Sequence, residues 1–212
     1  MIAIVIIINI NINSQYNNYY YYYSISPPIL PANFLAIVGA HSQSTPSSNQ
    51  RIISVKAITV HPGWDGNQII NDVAIVELAE SIGLDNSNLN AICLGRPTDS
   101  VENTLAVISG WGLTQQGGQL PDILQKATVT VVPQSRCKSI YTLVKPLSDG
   151  EVCAGTNPGG CNGDSGGPLQ YEINGRWYLL GAASWVVQCG SSVFPSKYRY
   201  CYYYYLNRFN LS

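Results

Sequence analysis

Residues 159–169 read GGCNGDSGGPL, a stretch in which glycines surround Ser165. A backbone this rich in glycine turns sharply and leaves a serine hydroxyl and the neighbouring amides accessible. The amide nitrogens of Gly163 and Ser165 can then converge on one point, as an oxyanion site requires, where one donor is worth about 2.7–4 kcal/mol. Such a turn would allow Ser165 to act as a nucleophile, with Gly163 and Ser165 as its oxyanion donors, but most glycine-rich turns have no catalytic role.

The composition around this stretch narrows the class of protein. The chain has 212 residues, of which 46% are apolar and 11% charged, enough to form one large domain or two small ones that share a core. A net charge of -1 provides no basic field, so no nucleic acid partner is expected. No C-x-x-C, zinc-spaced Cys/His cluster, nucleotide motif or redox motif occurs, so neither a metal nor a cofactor is expected.

The two ends of the chain differ in composition from the rest. No charged residue precedes Arg51, residues 2–10 are rich in Ile, and twelve of the fifteen Tyr lie in residues 16–23 or 198–205. We interpret both ends as low-complexity sequence without assigned structure. The Ile-rich run is shorter than the roughly 20 residues of a membrane span, so no membrane anchor is expected. It also lacks a basic n-region and a small-residue cleavage site, so a signal peptide and unrelated end sequence are both open.

From about Leu35 onward the pattern is all-β. Short apolar segments alternate with clusters of Gly, Pro, Asn and Ser, which is typical of a sandwich or barrel. A short helix is expected at 133–140. Strands are expected at 51–60, 73–78, 104–109, 127–132 and 177–185.

Five ordered motifs resemble the trypsin/chymotrypsin family of serine proteases. The nucleophile signature G-D-S-G-G-P lies at 163–168, and the other four motifs are N-D-V-A at 71–74, S-G-W-G at 109–112, C-A-G at 153–155 and S-W at 184–185. The resemblance implies two antiparallel β-barrels with the active site in the cleft between them, the first barrel being incomplete. It assigns residues 35–200 to the protease domain, divided into 35–100 and 101–200, and leaves 1–34 and 201–212 as tails.

The resemblance also implies the covalent and catalytic framework. Asp72 becomes the aspartate of the catalytic triad, and disulfides join Cys137 to Cys153 and Cys161 to Cys189. Cys93 and Cys201 are left over. Disulfides suit an oxidising compartment, so an extracellular location is expected.

The resemblance places the specificity pocket at Gly159 and Gly160, with walls at Val186 and Ser196. Ser184 and Trp185 would pair with the substrate backbone. Because the floor carries no charge and Val186 narrows the pocket, the expected substrate is a protein or peptide with a small or medium apolar side chain. Pocket size discriminates by only about 1–3 kcal/mol per methylene. The oligomeric state is not predicted.

The chain lacks the family's catalytic histidine segment. Serine needs a neighbouring base, and the position of the family's A-A-H-C segment falls on residues 27–32, which contain no histidine. His41 and His61 resemble histidines that family members do not use in catalysis, so neither is expected to be a substitute base.

Three functions therefore stay open. The chain is a serine endopeptidase whose histidine comes from other sequence, a non-catalytic homologue that binds a partner in the old cleft, or a truncated gene product. Asp164, which in the family pairs with a new N-terminal ammonium, would be an uncompensated charge, belong to a zymogen-like loop, or face solvent.

Overall fold

The structure is a computed structural model that describes residues 30–48, 50–82, 89–96 and 100–201. A short 3-10 helix at Pro31–Asn33 precedes the first strand, and α1 spans Gln134–Tyr141. The strands are β1 (Leu35–Val38), β2 (Arg51–Val60), β3 (Ala74–Leu78), β4 (Cys93–Leu94), β5 (Leu105–Gly110), β6 (Gln125–Val132), β7 (Glu151–Ala154), β8 (Pro168–Ile173), β9 (Arg176–Trp185) and β10 (Ser196–Tyr200).

Six strands close into an antiparallel barrel in the order β10-β7-β6-β5-β8-β9, because β10 also pairs with β9. The short strand β4 adds to β9 in parallel. In β6 the side chains of Val129 and Val131 are buried, whereas Thr128 and Thr130 are exposed. This alternation fills the barrel interior and confirms the all-β fold class.

The N-terminal part of the described chain forms a three-stranded antiparallel sheet in the order β1-β2-β3. Ala36 and Val38 pack on the core side of β1, whereas Leu35 and Ile37 are exposed. The proposed boundaries at 34/35, 100/101 and 200/201 stay predictions.

The sheet and the barrel share a core. Val73 and Ile75 from the sheet pack with Leu179 and Ala182 of β9. A hydrogen bond also joins two loops of the sheet and the barrel, since Leu124 N donates to His41 O at 2.8 Å. The sheet is therefore fixed against the barrel by both apolar and polar contacts.

Residues 198–200 lie in the low-complexity tract to which no structure was assigned, and the structure gives them one. These residues belong to β10, which pairs with both β7 and β9. Tyr198 is 1% exposed and lies in the barrel core. The remaining low-complexity residues, 1–29 and 202–205, lie outside the described ranges.

The structure joins Cys137 to Cys153 and Cys161 to Cys189. Cys93 and Cys201 form no disulfide among the described residues. Over the same ranges, no helix is long and apolar enough to cross a membrane.

Candidate active site

The loop that carries Ser165 is fastened to β9 on its C-terminal side. Gly166 N donates to Ala183 O at 2.8 Å, and Ala183 N donates to Gly167 O at 2.9 Å. Gly163 and Gly166 have φ angles of 96° and 78°, which residues other than glycine rarely adopt. The glycines thus permit a sharp turn that leaves Ser165 exposed.

The expected oxyanion donors are unoccupied by the protein itself. Among the described residues, neither Gly163 N nor Ser165 N donates a hydrogen bond, and the Ser165 hydroxyl has no partner there either. A Cβ at position 163 would lie 3.0 Å from Gly112 Cα, so glycine also fits the packing. Both amides are available to an acceptor.

Asp72 precedes β3 and is 3% exposed. Its Oδ2 accepts a hydrogen bond of 2.7 Å from Ser184 Oγ, whereas its Oδ1 is buried without a partner. Burial raises the pKa of this carboxyl to about 6, although the Ser184 hydrogen bond and the charges of Lys145 and Arg199 lower it. The carboxylate is therefore anchored on one oxygen only.

Asn71 holds the backbone ahead of Asp72. Its φ is 57°, a left-handed conformation that asparagine tolerates better than most side chains. Its Nδ2 donates to Gly63 O at 2.8 Å, and its Oδ1 accepts from Arg199 Nη2. This positioning role was not predicted. The Asn-Asp pair after a turn was its local signal, but the arginine partner had none.

Neighbouring residues of β9 hold the nucleophile loop and the aspartate. The main chain of Ala183 binds the Ser165 loop, and the side chain of Ser184 binds Asp72. The structure thus brings three predicted site residues, Ser165, Asp72 and Ser184, to one end of one strand.

Neither histidine is joined to these groups. His41 is exposed, and its carbonyl accepts from Leu124 N. His61 is 5% exposed, and its Nδ1 accepts from Gly63 N at 3.0 Å within its own turn. In the described part of the chain, no hydrogen bond connects an imidazole with Ser165 or Asp72.

Two backbone amides hold the carboxylate of Asp164. Gly112 N donates to Oδ1 at 2.9 Å, and Cys161 N donates to Oδ2 at 3.0 Å. A Cβ at Gly110 or Gly112 would overlap this carboxylate, which explains the G-W-G sequence. Burial raises the pKa of Asp164, and no described cation forms an ion pair with it. The side chain does not simply face solvent, since both oxygens have donors.

The predicted pocket residues are brought together only in part. Gly160 N donates to Ser196 Oγ at 2.9 Å, and a Cβ at Gly159 would lie 3.0 Å from the same oxygen. A cavity of about 160 Å³ is lined by Gly159, Gly160 and Asp164 among others. Its lining does not include Ser184, Trp185, Val186 or Ser196.

Trp185 lies against two ammonium groups that the sequence did not point to. Lys197 Nζ is 4.5 Å from its ring centroid and 4.2 Å from that of Tyr141, and Lys145 Nζ is 4.9 Å from the Trp185 ring. Burial lowers the pKa of Lys197 to about 8. Cation–π contacts therefore fix the indole next to Ser184.

The sequence of this chain matches one family model and several known proteins. A family model described as Trypsin matches residues 29–207. Mannan-binding lectin serine protease 1 of Homo sapiens is 37% identical over 184 residues, which are 84% of this chain and 25% of that protein. Trypsin-1 of Astacus astacus is 32% identical over 79% of this chain and 71% of its own length. Chymotrypsin-like elastase family member 1 of Rattus norvegicus is 35% identical over 76% of this chain. The chain spans 62% of that elastase and a quarter of the human relative.

Proposed function

Because the chain belongs to the trypsin family of serine proteases, we propose that it carries a serine endopeptidase-type site with Ser165 as nucleophile and Asp72 as the acidic member. We further propose that its own histidines do not complete this site. Peptide hydrolysis then depends on an imidazole that His41 and His61 do not provide.

The proposed reaction is acyl transfer. The Ser165 oxygen attacks the carbonyl carbon of a peptide while a base takes the hydroxyl proton. The negative charge that develops on the carbonyl oxygen is stabilised by the amides of Gly163 and Ser165. The base then protonates the leaving amine, and water releases the acyl group.

One observation carries the proposal: Asp72 Oδ1 is buried and has no donor, while Oδ2 is bound by Ser184. A buried acceptor left without a hydrogen bond costs roughly 1–3 kcal/mol. An imidazole N–H is the donor that such a carboxylate orients in serine hydrolases. The unused oxygen therefore supports a site designed around a histidine that neither His41 nor His61 replaces.

We assign the specificity pocket to Gly159, Gly160, Val186 and Ser196, and the substrate-pairing edge to Ser184 and Trp185. The contact of Ser196 with Gly160 supports a small, uncharged floor. Proteins or peptides with a small or medium apolar side chain are the proposed substrates. The two disulfides support action in an extracellular, oxidising compartment.

Fluorophosphonate labelling of the purified chain tests the proposal. We expect little labelling alone and clear labelling of Ser165 when free imidazole is added, because the added base takes the hydroxyl proton. Ser165→Ala should remove all labelling, and Asp72→Asn should remove most of the imidazole effect. Strong labelling without imidazole, lost in His41→Gln or His61→Gln, would contradict the proposed role of the histidines.

The second candidate is a non-catalytic homologue that binds peptides in the same cleft. The lack of any hydrogen bond from an imidazole to Ser165 or Asp72 among the described residues favours it. Peptide binding that persists in Ser165→Ala, together with no labelling at any imidazole concentration, would select this function.

A further inference from the structure

The loop that carries Ser165 contains an Asn-Gly pair at 162–163. Asn162 is exposed, and its side-chain amide makes no hydrogen bond with the described residues. Gly163 N also has no acceptor among them. A free side-chain amide thus lies next to a free backbone N–H that no Cβ shields.

These are the conditions for an intramolecular reaction. After Gly163 N loses its proton to hydroxide, the nitrogen attacks Asn162 Cγ and a new C–N bond closes a five-membered imide. The Cγ–Nδ2 bond breaks, and the side-chain nitrogen leaves as ammonia. Water then adds to one of the two imide carbonyls and gives aspartate or isoaspartate at position 162.

We propose that Asn162–Gly163 is a self-modification site, at which deamidation of Asn162 removes the oxyanion function of the loop. The consequence for function rests on the proposed role of Gly163, whereas the chemistry does not. In the imide, Gly163 has no N–H to donate. Both later products place a new carboxylate beside the position where negative charge develops, which disfavours that charge.

The surrounding packing makes an isoaspartate especially disruptive. This product adds one carbon to the main chain at position 162. Asn162 O accepts from Leu113 N at 2.8 Å, and a Cβ at Gly163 would already lie 3.0 Å from Gly112 Cα. The longer backbone has to move Gly163 away from its present position.

Two other asparagines in the chain serve as references. Asn157 precedes Pro158, whose nitrogen has no hydrogen, so the reaction cannot occur there. Asn174 precedes Gly175 in the exposed turn between β8 and β9, next to the pair Ile173↔Arg176. That turn is at the opposite end of the hairpin from the Ser165 loop, so its modification should leave the loop unchanged.

The test follows modification and reactivity in the same samples of the full chain, incubated at mildly alkaline pH and 37 °C. Reduction, unfolding and cleavage after Glu151 and Glu172 place Asn162 and Asn174 in different fragments. Mass spectrometry measures the amide-to-acid change, and an isoaspartyl methyltransferase measures isoaspartate. Ser165 reactivity is measured with the fluorophosphonate probe and added imidazole.

We expect the 152–172 fragment to acquire acid and isoaspartate, and Ser165 labelling to fall by the same fraction, so that half modification removes half of the labelling. Asn162→Gln should slow both changes by at least an order of magnitude and leave the initial labelling unchanged. Asn174→Gln should affect neither change.

Two results would overturn the inference. One is an Asn162 that stays intact while the same site in the reduced, unfolded chain is converted. The other is full labelling of a chain that is mostly modified. A chain that never labels but is modified at Asn162 would instead refute the proposed function and leave the modification site in place.

Discussion

Replacement of Asp72 by asparagine should stabilise the folded chain at neutral and alkaline pH. Asparagine keeps an oxygen that accepts the 2.7 Å hydrogen bond from Ser184 Oγ, but it carries no charge into this buried position. Burial makes the ionised aspartate less stable in the folded state than in water, and this raises its pKa to about 6.

The magnitude and sign follow from the pKa. A rise from 3.8 to about 6 corresponds to about 3 kcal/mol between the two protonation states. The folded state binds the Asp72 proton more tightly than the unfolded state, so the contribution of Asp72 to the free energy of unfolding falls as the pH rises from about 4 to about 6 and is then constant. At pH 8 the Asp72→Asn chain should therefore be more stable than the wild type by at most about 3 kcal/mol, and at pH 4 this advantage should nearly vanish.

Urea unfolding of both chains at pH 4, 6 and 8 checks this prediction. The raised pKa of Asp164 affects both chains alike, so the difference between them isolates Asp72. Ser184→Ala is the matched control: it removes the hydrogen bond that lowers the pKa of Asp72 and should extend the fall in stability to higher pH. A stability difference that is the same at pH 4 and pH 8, or a variant less stable at pH 8, would refute the reasoning.

Two further predictions concern the barrel and its tie to the sheet. Tyr141→Phe removes the 2.6 Å hydrogen bond to the buried carbonyl of Pro195 and should lower the free energy of unfolding by about 1–3 kcal/mol, as measured in urea; an unchanged midpoint would contradict it. Asp122→Asn weakens the hydrogen bonds that Ser42 Oγ and Ser44 N donate to its carboxylate, so amide exchange should accelerate around residue 44 and not in β6. These bonds lower the pKa of Asp122. The wild type should therefore show the same acceleration of exchange only at a pH below the usual pKa range of an aspartate.

Local sequence predicted strands that are rich in β-branched residues or that alternate apolar and polar residues. The run 51–60 is rich in β-branched residues and forms β2 with the expected bounds. A strand was also expected at 127–132, and in the structure β6 alternates with Val129 and Val131 inside the barrel. In β6 the burial of each residue follows from its own polarity, whereas in β2 the apolar Ile52 is 62% exposed, which its polarity does not predict.

β10 could not be predicted in this way. Lys197 and Arg199 are 0% and 2% exposed, and a sequence pattern assigns such charges to the surface. Lys197 is tolerated because its ammonium meets two aromatic rings and the carbonyl of Lys145. Arg199 is bound by Asn71, which lies 128 positions away. Partners so distant in sequence leave no local signal.

The residues of the candidate site also differ in whether local sequence or distant partners determine them. Ser165 and Gly163 were predicted because the motif that resembles the family, G-D-S-G-G-P at 163–168, lies in consecutive residues. The resemblance to a family identified Asp72, but its surroundings depend on Ser184, 112 positions away. The two amides that hold Asp164 belong to Gly112 and Cys161, and no side-chain pattern reveals a backbone donor.

The attachment of the Ser165 loop and of Asp72 to adjacent residues of β9 has a consequence for protein engineering. The relative placement of the two groups is set by a main-chain contact at Ala183 and one side-chain contact at Ser184. A designer who wishes to install an imidazole in this scaffold has to keep these two contacts, the hydrogen bonds of Asn71 and the packing of Val73 and Ile75 against β9. The strand end acts as a fixed template, onto which only one new side chain has to be aimed.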